Sequence, residues 1–228
     1  MTRKNDIDAL LGHSKVELEE IRKKYETSLR ENVSPVLRVD IKNFCENLRS
    51  VLEYLAQDVR DKYCPTSKGR IYFPIASSLA EFKGNMQKWF PDLDKSVPDF
   101  WKYLESIQPY NGADRIWLGQ FNRLNNENKH GSLVKQMRNE IKQVKATMQT
   151  GGEVAWLPDS VRFGPGVSIG GVPVDPATQR PVPHPSLKVE EITWVDHVFE
   201  GINVSALALL SQSLQGVEGI NKLVQSLL

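Results

Sequence analysis

A mainly α fold, built on a bundle of four or more helices with a small antiparallel β insertion, is predicted on three observations. Apolar residues recur at helical spacing in successive stretches from Ile7 to Leu124. Helix-start chemistry stands at the head of such stretches, as in Ser34-Pro35 and Ser77-Ser78. Glycine and proline then crowd residues 151–186, where short apolar pairs alternate between turns. The division that follows is a helical bundle over 1–140, a β insertion over 141–200, and a closing helix over 201–228 packed on the bundle, all within one compact domain.

The elements can be justified in order. From Asp6 to Arg30 the apolar positions are Ile7, Leu11, Leu18, Ile21, Tyr25 and Leu29, with charges such as Glu19 and Lys23 between them, which is one helical stripe. Ser34 supplies an acceptor for an unpaired amide, and Pro35 loses nothing at the first helical position. A second helix therefore runs to about Tyr63, striped by Leu37, Ile41, Phe44, Leu48, Val51, Leu52, Leu55 and Val59 with no internal Gly or Pro. "CPTSKGR" is a loop, and "IYFPI" is a short extended piece that Pro74 keeps from continuing. Ser77 or Ser78 caps a helix that Pro91 closes, and Pro98 opens a shorter one ended by "PYNG". Ala113 to His130 is the next helix, with Ile116, Trp117, Leu118, Phe121 and Leu124 on its buried side and Gly131 as a left-handed stop.

Residues 133–148 carry two periods at once. Val134, Met137, Ile141, Val144 and Met148 keep helical spacing, while Val144, Ala146 and Met148 alternate into "TGGEVAW", where Gly151-Gly152 has hairpin-turn chemistry. A strand from about Ile141 onward is the reading favoured here. Val161 with Phe163, Val167 with Ile169 and Val172 with Val174 make short strand candidates, "KVEEITWVDHVFEG" makes another, and an apolar helix from Val204 to Leu228 ends the chain, weakened by Gly216 and Gly219.

Composition narrows the function classes. A chain of 228 residues with 40% hydrophobic content can bury a proper core, and its 29 basic and 28 acidic residues leave a net charge of +1. No global field draws it to nucleic acid or an anionic membrane, so any affinity for anions is local. Cys45 falls on an apolar stripe and Cys64 in a turn, which is neither a disulfide framework nor a metal-ligand spacing, and points to a reducing interior. No signal peptide begins the sequence and no run reaches the roughly 18 apolar residues of a membrane span, so the expected location is the cytoplasm, without a membrane partner.

The stretch "FNRLNNENKHGSL" at 121–133 is the most polar helix end in the chain. Arg123 and His130 are two turns apart on one face, about 10 Å along the axis, with Glu127 between them. An arginine fork and an imidazole in one cleft could bind a phosphate and move a proton. The same residues equally make an i, i+4 ion pair, Arg123 with Glu127, and a cationic last turn at Lys129 and His130. From Ala113 to Gln149 seven basic residues (Arg115, Arg123, Lys129, Lys135, Arg138, Lys142 and Lys145) stand against Asp114, Glu127 and Glu140, a candidate phosphate-facing patch. Asn43, Glu46, Asn47 and Arg49 form a polar cluster on the second helix that would face "NNENKH" if those helices are neighbours. No phosphate-binding glycine loop, nucleophile elbow or metal-ligand set is present, and no cofactor is expected.

"RLNNENKH", with "DIKNFCENLRSVLEYLAQDV" before it, resembles the HEPN superfamily of helical-bundle proteins, whose ribonuclease members carry an arginine, four to six residues, and a histidine; here six residues intervene. The order "NLRSVLEYLAQDV", "YFPIA", "LESIQPYNG", "NENKH" over about residues 34–135 is similar to a bacterial HEPN-like group. The resemblance implies a HEPN-like bundle, a homodimer whose two motifs share a cleft, and a role in bacterial defence or stress response. Leu124 stands where the ribonucleases usually have a polar residue.

Two functions are thus expected. One is a non-catalytic bundle that binds an RNA, a ligand or a protein partner, with "NNENKH" as structural hydrogen bonding; the Leu124 departure favours it. The other is a metal-independent ribonuclease of toxin or defence type. There His130 is the acid or base, Arg123 stabilises phosphate charge, and Asn126, Asn128, Lys129 and Glu127 contact the substrate.

Overall fold

The computed structural model describes residues 3–27, 34–158 and 160–228, and of His130, Ile141 and Trp194 the backbone alone. The chain divides into two compact units, Met1–Met137 with His197–Leu228, and Arg138–Asp196.

The first unit is helical. Its α1 (Lys4–Thr27) buries Ile7, Leu11, Leu18, Ile21 and Tyr25, the stripe expected of it; Leu29 and Arg30 lie outside the described residues. The central element is α2 (Pro35–Tyr63), where Ser34 Oγ accepts from the Leu37 N–H at 3.2 Å and Pro35 occupies the first turn. Phe44, Leu48, Val51, Leu52 and Leu55 are fully buried along it, against α1, α6 and α7. Truncating Phe44 or any of these leucines to alanine would cost about 2–5 kcal/mol. The last turns of α2 are further tied to the start of α1 by Arg3, whose Nη1 lies 2.6 Å from the buried Asp58 carboxylate.

Ser78 caps α3 (Leu79–Trp89), a short α4 (Leu93–Ser96) intervenes, and α5 (Pro98–Ser106) begins at proline as expected. Two single 3₁₀ turns, Pro109–Asn111 and Ala113–Arg115, lead into α6 (Ile116–His130). The closing α7 (Ala206–Leu227) buries Leu209, Leu210, Val217, Ile220 and Val224. A Cβ built at Gly216 would overlap the Trp117 indole, so this glycine makes room for a side chain of α6 against α7 rather than being simply a weak point.

Gly131 corrects one expectation. Its backbone sits at φ −115° and ψ −116°, not in the left-handed region. Its N–H still closes on Glu127 O at 2.9 Å, and a Cβ would stand 3.1 Å from that same oxygen. The position needs the missing side chain, not a left-handed turn.

The second unit overturns the expected fold class. Helix makes up 55% of the chain and strand 18%, and the strands build small antiparallel sheets in the C-terminal half, so a mainly α, HEPN-like bundle with only a small β insertion is not what this sequence folds into. Two strands are long, β1 (Gln136–Met148) and β6 (Leu187–Phe199), and with β2 (Glu153–Trp156) they form a sheet in the order β2-β1-β6. The β1–β2 hairpin pairs Val144 with Trp156 and Thr147 with Glu153 around Gly151 at φ 89°. The short β3 (Ser168–Ile169), β4 (Val172–Asp175) and β5 (Arg180–Pro181) make a second sheet. The physical reason for the correction is a separate core: Val144, Ala146, Trp156, Ile169, Val172, Val174 and Leu187 bury one another. The pattern over 133–148 resolves to strand, beginning five positions before the expected Ile141. Val161 and Phe163 lie outside strands; Phe163 is instead held by Gln179, whose Oε1 accepts from its N–H at 2.6 Å.

Candidate functional site

A large polar concavity of the helical unit lies between α2, α6 and an extended strap over residues 69–76, a cleft of about 1080 Å³. The strap is the "IYFPI" piece, and no strand pairs with it among the described residues. Its backbone groups are satisfied by side chains instead. Arg60 Nη1 donates to Gly69 O at 3.1 Å, and Glu53 Oε2 accepts from the Phe73 N–H at 2.9 Å. The buried Gln108 accepts from the Ala76 N–H at 2.8 Å and donates to Pro74 O at 3.1 Å and Leu104 O at 2.8 Å. Three side chains from helices and their ends thus hold an irregular segment in one place.

Opposite the strap, α6 presents Asn122, Asn125, Asn126 and Lys129, spaced by three and four residues and so on one helical face. Arg49 of α2 joins the two sides, with Nη2 2.5 Å from Glu53 and Nη1 donating to Asn122 Oδ1 at 3.2 Å. Burial pushes the Glu53 carboxyl above the usual carboxylate range, against the pull of Arg49, the Phe73 N–H and Lys129, which favour the ionised form. Asn125 is 5% exposed, and its Oδ1 has no hydrogen-bond partner among the described residues. Such a buried acceptor costs about 1–3 kcal/mol when left unmade.

The charge of the cleft is uneven. Its two acids are engaged, Glu53 by Arg49 and Glu46 by Lys42 at 2.9 Å. Arg60 lies 3.5 Å from Asp61, and among the described residues Arg70 and Lys129 have no carboxylate within 4 Å, Lys129 acting on Glu53 from beyond that distance. Tyr54, Tyr72 and Trp89 line the same space, the last two in edge contact at 5.6 Å between ring centroids.

The residues singled out in the sequence divide among different faces of α6. Asn126 and Lys129 line the cleft. Arg123 does not; its Nε lies 2.7 Å from Glu127 on an outward face, and Glu127 borders a separate, smaller depression with Gly131 and Glu200. Asn128 is buried and accepts from the Val134 N–H at 2.9 Å, closing the helix end rather than facing a ligand. The His130 side chain, and with it the expected acid or base, lies outside the described residues.

The expected basic patch over 113–149 is not one surface. Arg115 pairs with Asp114, Arg123 with Glu127, Arg138 with Glu140, Lys145 with Glu153, and Lys142 reaches Glu191 at 4.0 Å. Glu153 of β2 and Glu191 of β6, both beyond the counted window, neutralise part of what a linear count left positive. The polar cluster on α2 splits too: Glu46 and Arg49 face the cleft, whereas Asn47 donates to Glu17 of α1 at 2.9 Å. Arg60, Arg70, Tyr72 and Trp89 were not anticipated in a site. For Arg70 and Tyr72 the signal that could have found them is "GRIYF", a cation beside aromatic residues in a segment with no apolar stripe to explain them.

Among the described residues no group of three or more His, Cys, Asp or Glu side chains is arranged to hold a metal ion, and no helix is long and apolar enough to cross a membrane. His13 pairs with Glu17, His184 with Ser186, and the buried His197 stacks on Tyr25 at 4.7 Å. Compared with protein-family models, curated proteins and solved structures, the chain has no match, so nothing beyond its own motif residues points to the HEPN superfamily.

Proposed function

We propose that the protein is a non-catalytic binding module whose α2–α6 cleft takes an anionic ligand. One observation carries this reading: among the described residues Arg70 and Lys129 face the cleft with no carboxylate within 4 Å, while its acids, Glu46 and Glu53, are already engaged. In a chain of net charge +1 that is a local field, of the kind that attracts an anion without making the whole surface basic. The fixed strap favours binding further, because a site already ordered pays less entropy on association. A ribonuclease acting through Arg123 has less support, since Glu127 occupies the guanidinium and neither residue lines the cleft. A homodimer and a cytoplasmic setting belong to the same proposal; the free, buried thiols of Cys45 and Cys64 suit a reducing compartment.

The test is calorimetric titration of inorganic pyrophosphate into the wild-type protein and into the Arg70→Ala/Lys129→Ala double variant. Saturable binding that weakens at least tenfold in the variant is expected. Absence of binding, or equal binding by both proteins, discards the anionic cleft.

A further inference from the structure

We propose, resting on the anionic-cleft reading, that the ligand is a nucleoside phosphate, its ring held at the Tyr72–Trp89 side and its phosphate by Arg70 and Lys129. Two features of the cleft are left unexplained by a bare anion. The first is aromatic. Tyr72 is 42% exposed on a strap pinned at Gly69, Phe73 and Ala76, so its ring is presented to the cleft instead of being absorbed into the core. Trp89 braces it edge to face. An exposed ring on a fixed strap is a stacking platform for flat heterocycles, and such stacking is worth about 1–3 kcal/mol per base.

The second feature is the amide face. Asn122, Asn125 and Asn126 come from one face of α6, and the Asn125 Oδ1 is buried without a partner. Side-chain amides carry both donors and acceptors, which matches the mixed donor and acceptor edge of a nucleobase and has no use for a purely apolar ring. Charge then selects the anion. With Glu46 and Glu53 engaged and Arg60 turned to Asp61 and Gly69 O, Arg70 and Lys129 remain without an ion pair among the described residues, two positive charges that suit a phosphate monoester near its dianionic state better than a single carboxylate. The cleft, at about 1080 Å³, is at the upper end of small-ligand sites, so it has room for a mononucleotide or for a short single strand that offers the same chemistry.

Binding of AMP, adenosine, inorganic phosphate and a single-stranded RNA hexamer to the full chain would be followed by tryptophan fluorescence and calorimetry. AMP is expected to bind at least tenfold more tightly than adenosine or phosphate. Tyr72→Ala is expected to weaken AMP at least fivefold while leaving phosphate unchanged, and Arg70→Ala to weaken both; thermal melts verify that each variant is folded. A hexamer at least tenfold tighter than AMP identifies a nucleic-acid strand as the source of the nucleotide, and equal affinity identifies the free nucleotide. AMP no tighter than phosphate, or a Tyr72→Ala variant that binds AMP normally, overturns the nucleotide assignment and leaves the anionic cleft standing. No binding of any of the four overturns both.

Discussion

The last two turns of α6 offer three faces built from nearly the same amino acids, and each face has a different job. Asn122, Asn125, Asn126 and Lys129 look across the cleft at the strap. Leu124 and Asn128 point inward, where Asn128 caps the Val134 amide. Arg123 and Glu127 look outward and neutralise each other. Residue type alone does not distinguish an asparagine that seals a helix end from one that waits for a ligand. What distinguishes them is the neighbour each meets: Val134 for Asn128, the cleft for Asn126, and no described partner at all for the Asn125 oxygen.

The inward face should be the most costly to alter. Asn128→Ala leaves the buried Val134 N–H without its acceptor, and about 2 kcal/mol of stability is expected to be lost, within the usual penalty for a stranded buried donor. For a chain of this length that is roughly 4–8 °C in thermal midpoint. Asn126→Ala, on the exposed cleft face, should move the midpoint far less. Calorimetric melts of the two variants compare the faces directly, and similar losses would erase the distinction.

The cleft face has a pH signature of intermediate size. Because burial raises the folded-state Glu53 carboxyl above its unfolded value, the native state holds its proton more tightly than the unfolded chain does. Its contribution is therefore fully present below the unfolded carboxylate range and is lost as pH rises through the higher folded value. Glu53→Gln keeps an acceptor for the Phe73 N–H but cannot titrate. The stability of the wild type relative to this variant should improve as pH falls from 7 to 4. Chemical denaturation across that range is the measurement, and a difference that is flat or runs the other way would show that Arg49 dominates over burial.

Much of the helical unit was legible because its determinants are local. The stripe of α2 and the caps at Ser34 and Ser78 are complete within a few residues of sequence. The β unit was legible in part: its Gly151-Gly152 hairpin and the strand over "KVEEITWVDHVFEG" were expected, but the length of β1 was not, because Val144 and Met148 satisfy both a helical and an alternating period until Val144 and Ala146 are seen to pair with Trp156 and Val154 across the hairpin. The site was half legible for the same reason. Lys129, Asn126 and Arg49 drew attention as polar residues on helices, whereas the strap takes its hydrogen bonds from Glu53 and Gln108, 20 and 32 residues away. The charge count over 113–149 failed because the compensating Glu153 and Glu191 lie outside the counted window.

The outward face should give the smallest effect, and for that reason it is the sharpest test of the contrast. Arg123 and Glu127 form an exposed i, i+4 pair, a kind worth about 0.3–0.5 kcal/mol. Arg123→Ala is expected to lower stability by no more than that and to leave pyrophosphate binding unchanged, since the residue does not line the cleft. Any cleavage of a mixed RNA pool in EDTA should likewise be the same for variant and wild type. A folded Arg123→Ala protein that loses a clear wild-type cleavage activity would reverse the ranking of the faces: the guanidinium would have to leave Glu127 to meet a phosphate, and the outward face, not the cleft, would be where this protein does its chemistry.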